Sequence, residues 1–152
     1  MSKIKITFPD GAVKEFDSGI TGYQIAQSIS NRLADDVLAV KFNDAIKDLH
    51  RPITEDGCVK FLTFDDVEGK EVYWHSSSHL MAHAVQDIFP EAKFGVGPAI
   101  EAGFYYDIDI NTQLSEDHLK LIEDKMIALS KTDTRFEREE LSQKEAIEFF
   151  KK

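Results

Sequence analysis

The chain has few of the residues that would staple it covalently or carry it into a membrane. Among 152 residues there is one cysteine, Cys58, with one tryptophan and four prolines. A lone thiol cannot close an internal disulfide, so the fold must rest on its core, and a reducing, cytoplasmic setting suits the sequence. Cys58 is followed by Val59, Phe61 and Leu62, which read as a strand in which the thiol is packed and inert. No apolar run reaches the roughly 18 residues a membrane span needs. Met1 opens onto a charged, alternating segment instead of an apolar signal, which argues against secretion. Positive charge is also in short supply: 18 Lys+Arg face 28 Asp+Glu, a net charge of −10. Residues 1–64 hold 8 and 9 of these, leaving 10 and 19 for the remainder, so the two parts carry −1 and −9. Neither has the basic footprint of a free-standing nucleic-acid binder, and any RNA contact must be local or assisted from elsewhere.

The remaining composition is that of a globular chain, 42% hydrophobic, long enough for one average domain or two small ones. IKITF (4–8) and AVKEF (12–16) alternate like two strands around Pro9-Asp10-Gly11, a tight-turn sequence. Thr21 and Gln24 have capping-box spacing, and Tyr23, Ala26, Ile29 and Leu33 share one side of the helix expected to follow. Two strands, VLAVKF (37–42) and CVKFLTF (58–64), then flank a loop with Pro52 and Asp56-Gly57. Hairpin, helix and strands in about 60 residues predict a small sheet packed on one helix. DDVEGK (65–70) reads as a linker, and a second domain, 71–152, follows.

That second part begins with Trp74-His75-Ser-Ser-Ser-His79 in a segment of helical pattern that should stop by Phe89-Pro90. At about 100° per residue, Trp74, Met81, Val85 and Ile88 form a core-facing stripe and His75, His79 and His83 lie on the far side. Side chains four apart stand on neighbouring turns, where neutral imidazoles can exchange protons, donate hydrogen bonds or hold a metal. Strands are expected at FGVGPAI (94–100) and GFYYDIDI (103–110). Next come a helix capped by Ser115 with Leu119, Ile122, Met126 and Leu129 on its core face, a strand RFEREEL, and a last helix opened by Ser142 and Glu145. Phe149 and Phe150 near the end would normally pack on something later, so the chain reads as part of a longer polypeptide. His50 and His118 have no companions and read as exposed or capping residues. His83 reads as structural.

The run WHSSSHLMAHAVQDIFPEAKFGVGPAIEAGFYYDIDI (74–110) resembles the start of the editing domain of bacterial threonyl-tRNA synthetases, where HSxxHLxxHA, an IGP-like turn and GFYYD occur in that order. Residues 1–64 are similar to the TGS module that precedes it in that family, a ubiquitin-like β-grasp fold. The resemblance implies an α+β chain: a TGS module (1–64), a linker (65–70) and the first, truncated part of an editing domain (71–152). It implies a proofreading role, because a pocket distinguishes serine from threonine by one methyl, worth only about 1–3 kcal/mol. A second, hydrolytic site then removes mischarged serine. Carried over by motif, His75 and His79 hold the terminal ribose and the attacking water, and Gly97 and Tyr106 form part of the wall beside the bound serine. The plain alternative for the last two is a turn glycine and a sheet aromatic. ATP, magnesium and zinc are implied only for the catalytic core of the full enzyme, with no cofactor in this region. Threonine tRNA is the implied partner, the parent a homodimer and this region a monomer, and no membrane contact is implied.

Two other readings stand beside this one. A TGS-type regulatory or partner-binding module would need no histidine helix. A zinc-dependent hydrolase could use imidazoles at i and i+4, but no Glu follows His75 as HExxH requires, and two ligands leave a tetrahedral site incomplete. The family's later CxxxH element does not occur after the pair, so little or no deacylase activity is expected of this chain alone.

Overall fold

The computed structural model describes residues 2–132, 134 and 137–151. The chain divides into two compact units at residue 113/114. In the first, β1 (Lys3–Thr7) and β2 (Val13–Asp17) form the expected antiparallel hairpin. Its turn needs Gly11, whose φ is +83°. After β3 (Ile20–Thr21), helix α1 (Gly22–Ile29) starts on a complete capping box: the Gln24 N–H donates to Thr21 Oγ1 and the Thr21 N–H to Gln24 Oε1.

The single helix expected next is in fact two. Ser30 is extended, and its N–H closes α1 on the Ala26 carbonyl while its Oγ accepts from the Leu33 N–H to open α2 (Asn31–Asp36). One serine thus ends a helix and begins the next. The break turns Ile29 outward, 45% exposed, whereas Tyr23, Ala26 and Leu33 stay on the packed side as expected.

β4 (Val37–Phe42) leads through Asn43 and Asp44, both at positive φ, into β5 (Ala45–Lys47). Those angles belong to the two-residue turn whose twist matches a hairpin. β6 (Pro52–Ile53) pairs with β3, and β7 (Gly57–Thr63) completes a five-stranded sheet of order β2-β1-β7-β4-β5. β1 and β7 run parallel at its centre; the other pairs are antiparallel. Ile4, Ile6, Val40, Phe42 and Val59 bury one face with Ile25 of α1 and Ile53, the sheet-on-helix core expected from the sequence. Cys58 departs from expectation. With Val59 facing this core, period-two alternation sends Cys58 and Lys60 to solvent, and the thiol is exposed.

Helix α3 (Val67–Ile88) packs its start on β4 and β7. Residues 67–70, expected as linker, are its first turn. Asp66 occupies the N-cap position but makes no cap bond. Its carboxylate turns back to accept from the Thr63 N–H at 3.0 Å and from Lys60 Nζ at 2.7 Å, while Glu68 pairs with Lys41 at 3.0 Å. These lysines hold both carboxyls below their ordinary range, with the Thr63 N–H helping at Asp66. At Gly69 the helix touches the sheet so closely that a Cβ would lie 1.9 Å from the Thr63 carbonyl oxygen.

Beyond the helix, each of the two strands expected in 94–110 is split. β8 (Lys93–Phe94) pairs with β11 (Ile108–Asp109), and β9 (Ala99–Ile100) with β10 (Gly103–Phe104). Gly97-Pro98 and Tyr105–Asp107 interrupt them, since proline supplies no ladder donor. The second unit holds α4 (Glu116–Ser130) and α5 (Gln143–Phe150), each begun by the expected serine. His118 completes the α4 cap by accepting from the Ser115 N–H. Residues 137–141 of the expected strand are irregular; Arg135 and Phe136 lie outside the described residues.

Gly69→Ala should destabilise the chain by about 2 kcal/mol or more, because a clash with backbone outweighs the ~1 kcal/mol that alanine gains in a helix; urea unfolding measures it. Asp66 contributes stability above the pH at which it titrates when unfolded, and loses it as pH falls through its depressed folded value. Over the window from about pH 5 down to pH 2, wild type should therefore lose more thermal stability than Asp66→Asn. The gap will be modest, since Lys60 is half exposed.

Candidate functional site

Twenty-two residues of α3 carry the candidate chemistry. Beyond Gly69 the helix is anchored by Phe64, Tyr73 and Trp74, three rings in mutual edge-to-face contact at 5.1–5.8 Å, with Trp74 also 6.4 Å from Phe104 of β10. Ala84 and Val85 are buried further along, and Phe89 closes the last turn on the Val85 carbonyl before Pro90. The apolar stripe thus faces inward as predicted, and its phase sends His75, His79 and His83 outward, all three exposed.

His75 and His79 meet. Their Nε2 atoms are 3.1 Å apart, with ring centroids at 4.7 Å and planes at 83°. A hydrogen bond between two such nitrogens requires one Nε2 to carry the proton and the other a free lone pair. The pair is therefore a donor and an acceptor side by side. His83 stands apart, 3.8 Å from the Asp87 carboxylate. His50, in the turn after β5, lies against the ring of Tyr23 in α1.

Gly97 and Tyr106 are also brought together. A Cβ on Gly97 would lie 2.4 Å from two carbons of the Tyr106 ring, so the turn passes flat across that ring, and Phe94 packs edge-on to the other partner at 5.6 Å. The link to the helix is Ser78, which the sequence reading passed over. It is fully buried, and its Oγ–H points to the His75 carbonyl at 2.7 Å and the Gly97 carbonyl at 3.3 Å. The signal was present: on the helical wheel position 78 falls at the edge of the stripe of Trp74, Met81 and Val85, where a buried polar side chain needs a partner. Helix, turn and tyrosine thus form one connected set.

Among the described residues no three His, Cys, Asp or Glu side chains gather as a metal-binding group. Two shallow depressions lie away from the pair. Lys93, Phe94 and Asp107 line one; Lys3, Phe16 and Gln24 line the other. The histidines instead stand on an open face. No helix of the described residues is long and apolar enough to cross a membrane.

Residues 4–63 match the TGS domain family. Nearly the whole chain is similar to proteins named threonine-tRNA ligase. It is 51% identical to that of Chloroherpeton thalassium over 148 residues, 97% of this chain and 22% of the relative. It is 49% identical to those of Cytophaga hutchinsonii and Bacteroides thetaiotaomicron, covering 97% of this chain and 23% of each. The chain thus spans less than a quarter of the length of these relatives.

The tight seat of Gly97 makes a coupled prediction. Gly97→Ala should destabilise wild type, by about 1–3 kcal/mol of overpacking, and should lose most of that effect in a Tyr106→Ala background. Urea titration of the two single variants and the double variant closes the cycle.

Proposed function

From a chain that carries a TGS domain and is homologous along 97% of its length to the N-terminal region of threonine-tRNA ligases, we propose that residues 74–110 contribute to a proofreading site that hydrolyses serine mischarged onto threonine tRNA. The observation that carries the reading is the outward-facing imidazole pair, Nε2 to Nε2 at 3.1 Å, on a helix otherwise seated in apolar packing. Hydrolysis of an aminoacyl ester needs a held water, an acceptor for its proton and a donor for the substrate's oxygen atoms. Opening the mutual hydrogen bond of His75 and His79 frees one Nε2 lone pair as an acceptor and one Nε2–H as a donor on adjacent turns. Gly97 lacks the Cβ that would strike the Tyr106 ring, so its turn lies close on that ring, and its carbonyl accepts from the Ser78 hydroxyl. Such a wall can admit serine and exclude the extra methyl of threonine.

In this reading the activity belongs to the longer ligase. ATP, magnesium and zinc serve its catalytic core, tRNA is its partner, dimerisation runs through that core, and the location is cytoplasmic. The docking-module alternative gives no reason for two hydrogen-bonded imidazoles held at the surface. The zinc-hydrolase alternative needs a third and fourth ligand in place.

In a full threonine-tRNA ligase carrying this region, His75→Ala and His79→Ala should each slow release of serine from mischarged threonine tRNA by about 100-fold, with charging by threonine unchanged. Release at the wild-type rate in both variants would refute the reading, and so would an equal loss of charging and release.

A further inference from the structure

We infer that Ser78 is a positioning residue for selectivity: its buried hydroxyl holds the glycine turn in fixed register with the histidine helix, and so sets how sharply the site rejects threonine. The part in selectivity rests on the proofreading reading; the tie itself rests on geometry alone. Ser78 is fully buried within α3, between His75 and His79. A hydroxyl carries one proton, and here two carbonyls share it, that of His75 at 2.7 Å and that of Gly97 at 3.3 Å. The His75 carbonyl already belongs to the helix ladder. What Ser78 adds is the reach to Gly97, nineteen residues away in the chain.

The glycine turn is thereby held from two directions. Tyr106 stands on one side, where a Cβ on Gly97 would fall 2.4 Å from two ring carbons. The Ser78 hydroxyl holds the carbonyl from the helix. The flanking backbone is pinned as well: the Gly95 N–H donates to the Asp107 carbonyl at 2.8 Å, and the Asp107 N–H to the Val96 carbonyl at 3.0 Å. Trp74 of the helix also meets Phe104 at 6.4 Å, but apolar contact has no preferred direction and lets surfaces slide. A hydrogen bond has a length and an angle. Discrimination by one methyl needs a wall whose place is fixed, and Ser78 fixes it.

Two measurements test the two steps. Amide hydrogen exchange of the 152-residue chain reads the tie. In Ser78→Ala the Gly95 and Asp107 amides should exchange about threefold to tenfold faster, the range one neutral hydrogen bond supports, while amides of β4 and β7 change less. Quickening no greater there than in those strands overturns the tie. In the full ligase carrying this region, release of serine from mischarged threonine tRNA and of threonine from correctly charged tRNA reads the selectivity. Ser78→Ala should lower the serine-to-threonine ratio of kcat/KM by about threefold to tenfold, with threonine charging unchanged. A merely structural loss slows both releases together and leaves the ratio as it was, which overturns the positioning role. Ser78→Thr keeps a hydroxyl able to reach the same helix carbonyl while crowding the buried site with a methyl. It should lose stability in urea yet keep most of the ratio; a ratio lost equally in both variants assigns the effect to packing and sinks the proposal. His75→Ala and His79→Ala, measured alongside, keep the two readings apart: serine release at the wild-type rate in both removes proofreading, and the selectivity role with it, whereas slowed release with an unchanged Ser78→Ala ratio removes the selectivity role alone.

Discussion

The close seat of Gly69 on the carbonyl of Thr63 fixes everything that follows it in the first unit. A helix of 22 residues is about 33 Å long, and only its start is set on the sheet. The phase chosen there is carried rigidly along the axis, so a side chain at position 69 would lift the helix from its bed. His75 and His79 lie roughly 9 and 15 Å further on. A slip of one residue would rotate them by about 100° toward the packed side. Asp66 and Glu68 hold the same registration electrostatically, but ion pairs at a half-exposed Lys60 and a partly exposed Lys41 contribute little. Steric fit decides the geometry, and the ion pairs trim it.

Much of this was legible because it is written in local signals. Alternation gave β1 and β2, apolar runs gave β4 and β7, the Thr21–Gln24 and Ser142–Glu145 spacings and Ser115 gave the starts of α1, α5 and α4, and Phe89-Pro90 gave the end of α3. The outward phase of the histidines came from the same periodicity. What escaped was decided by tertiary context or by a residue serving two purposes. Ser30 looks like any polar residue within an amphipathic run, yet it caps in both directions. Cys58 was placed by its apolar neighbours when its register was set by Val59, one position on. The strands of 93–109 are only two residues each, too short for a period to show.

Within the candidate site the legible and the hidden parts divide in a similar way. His75 and His79 are visible as a spacing, and their contact follows from that spacing. Gly97 and Tyr106, nine residues apart in the chain, were singled out through family resemblance alone; their packing against each other is a tertiary fact no local pattern encodes. Ser78 sits between the two kinds of information. Its position on the wheel marks it as buried, but only the fold supplies the Gly97 carbonyl that shares its proton. A buried hydroxyl with two acceptors is a joint, and this one ties the backbone of the histidine turn to the backbone of the glycine turn.

Charge sets the scale on which such a site can act. With a net −10, the chain repels a phosphate backbone that comes within about a Debye length, roughly 8–10 Å in physiological salt. On the proposed proofreading reading, a nucleic-acid end would therefore have to be delivered to the imidazole pair by contacts outside this chain and recognised only at close range, through hydrogen bonds and steric fit. That division suits discrimination. A strong phosphate grip at the proposed hydrolytic site would bind serine and threonine esters alike, adding uniform affinity without selectivity. Two hydrogen-bonded imidazoles, on a helix tied through Ser78 to a glycine turn laid flat on a tyrosine, have no comparable long-range pull; on the proposed reading their preference can depend on what fits within a methyl's width.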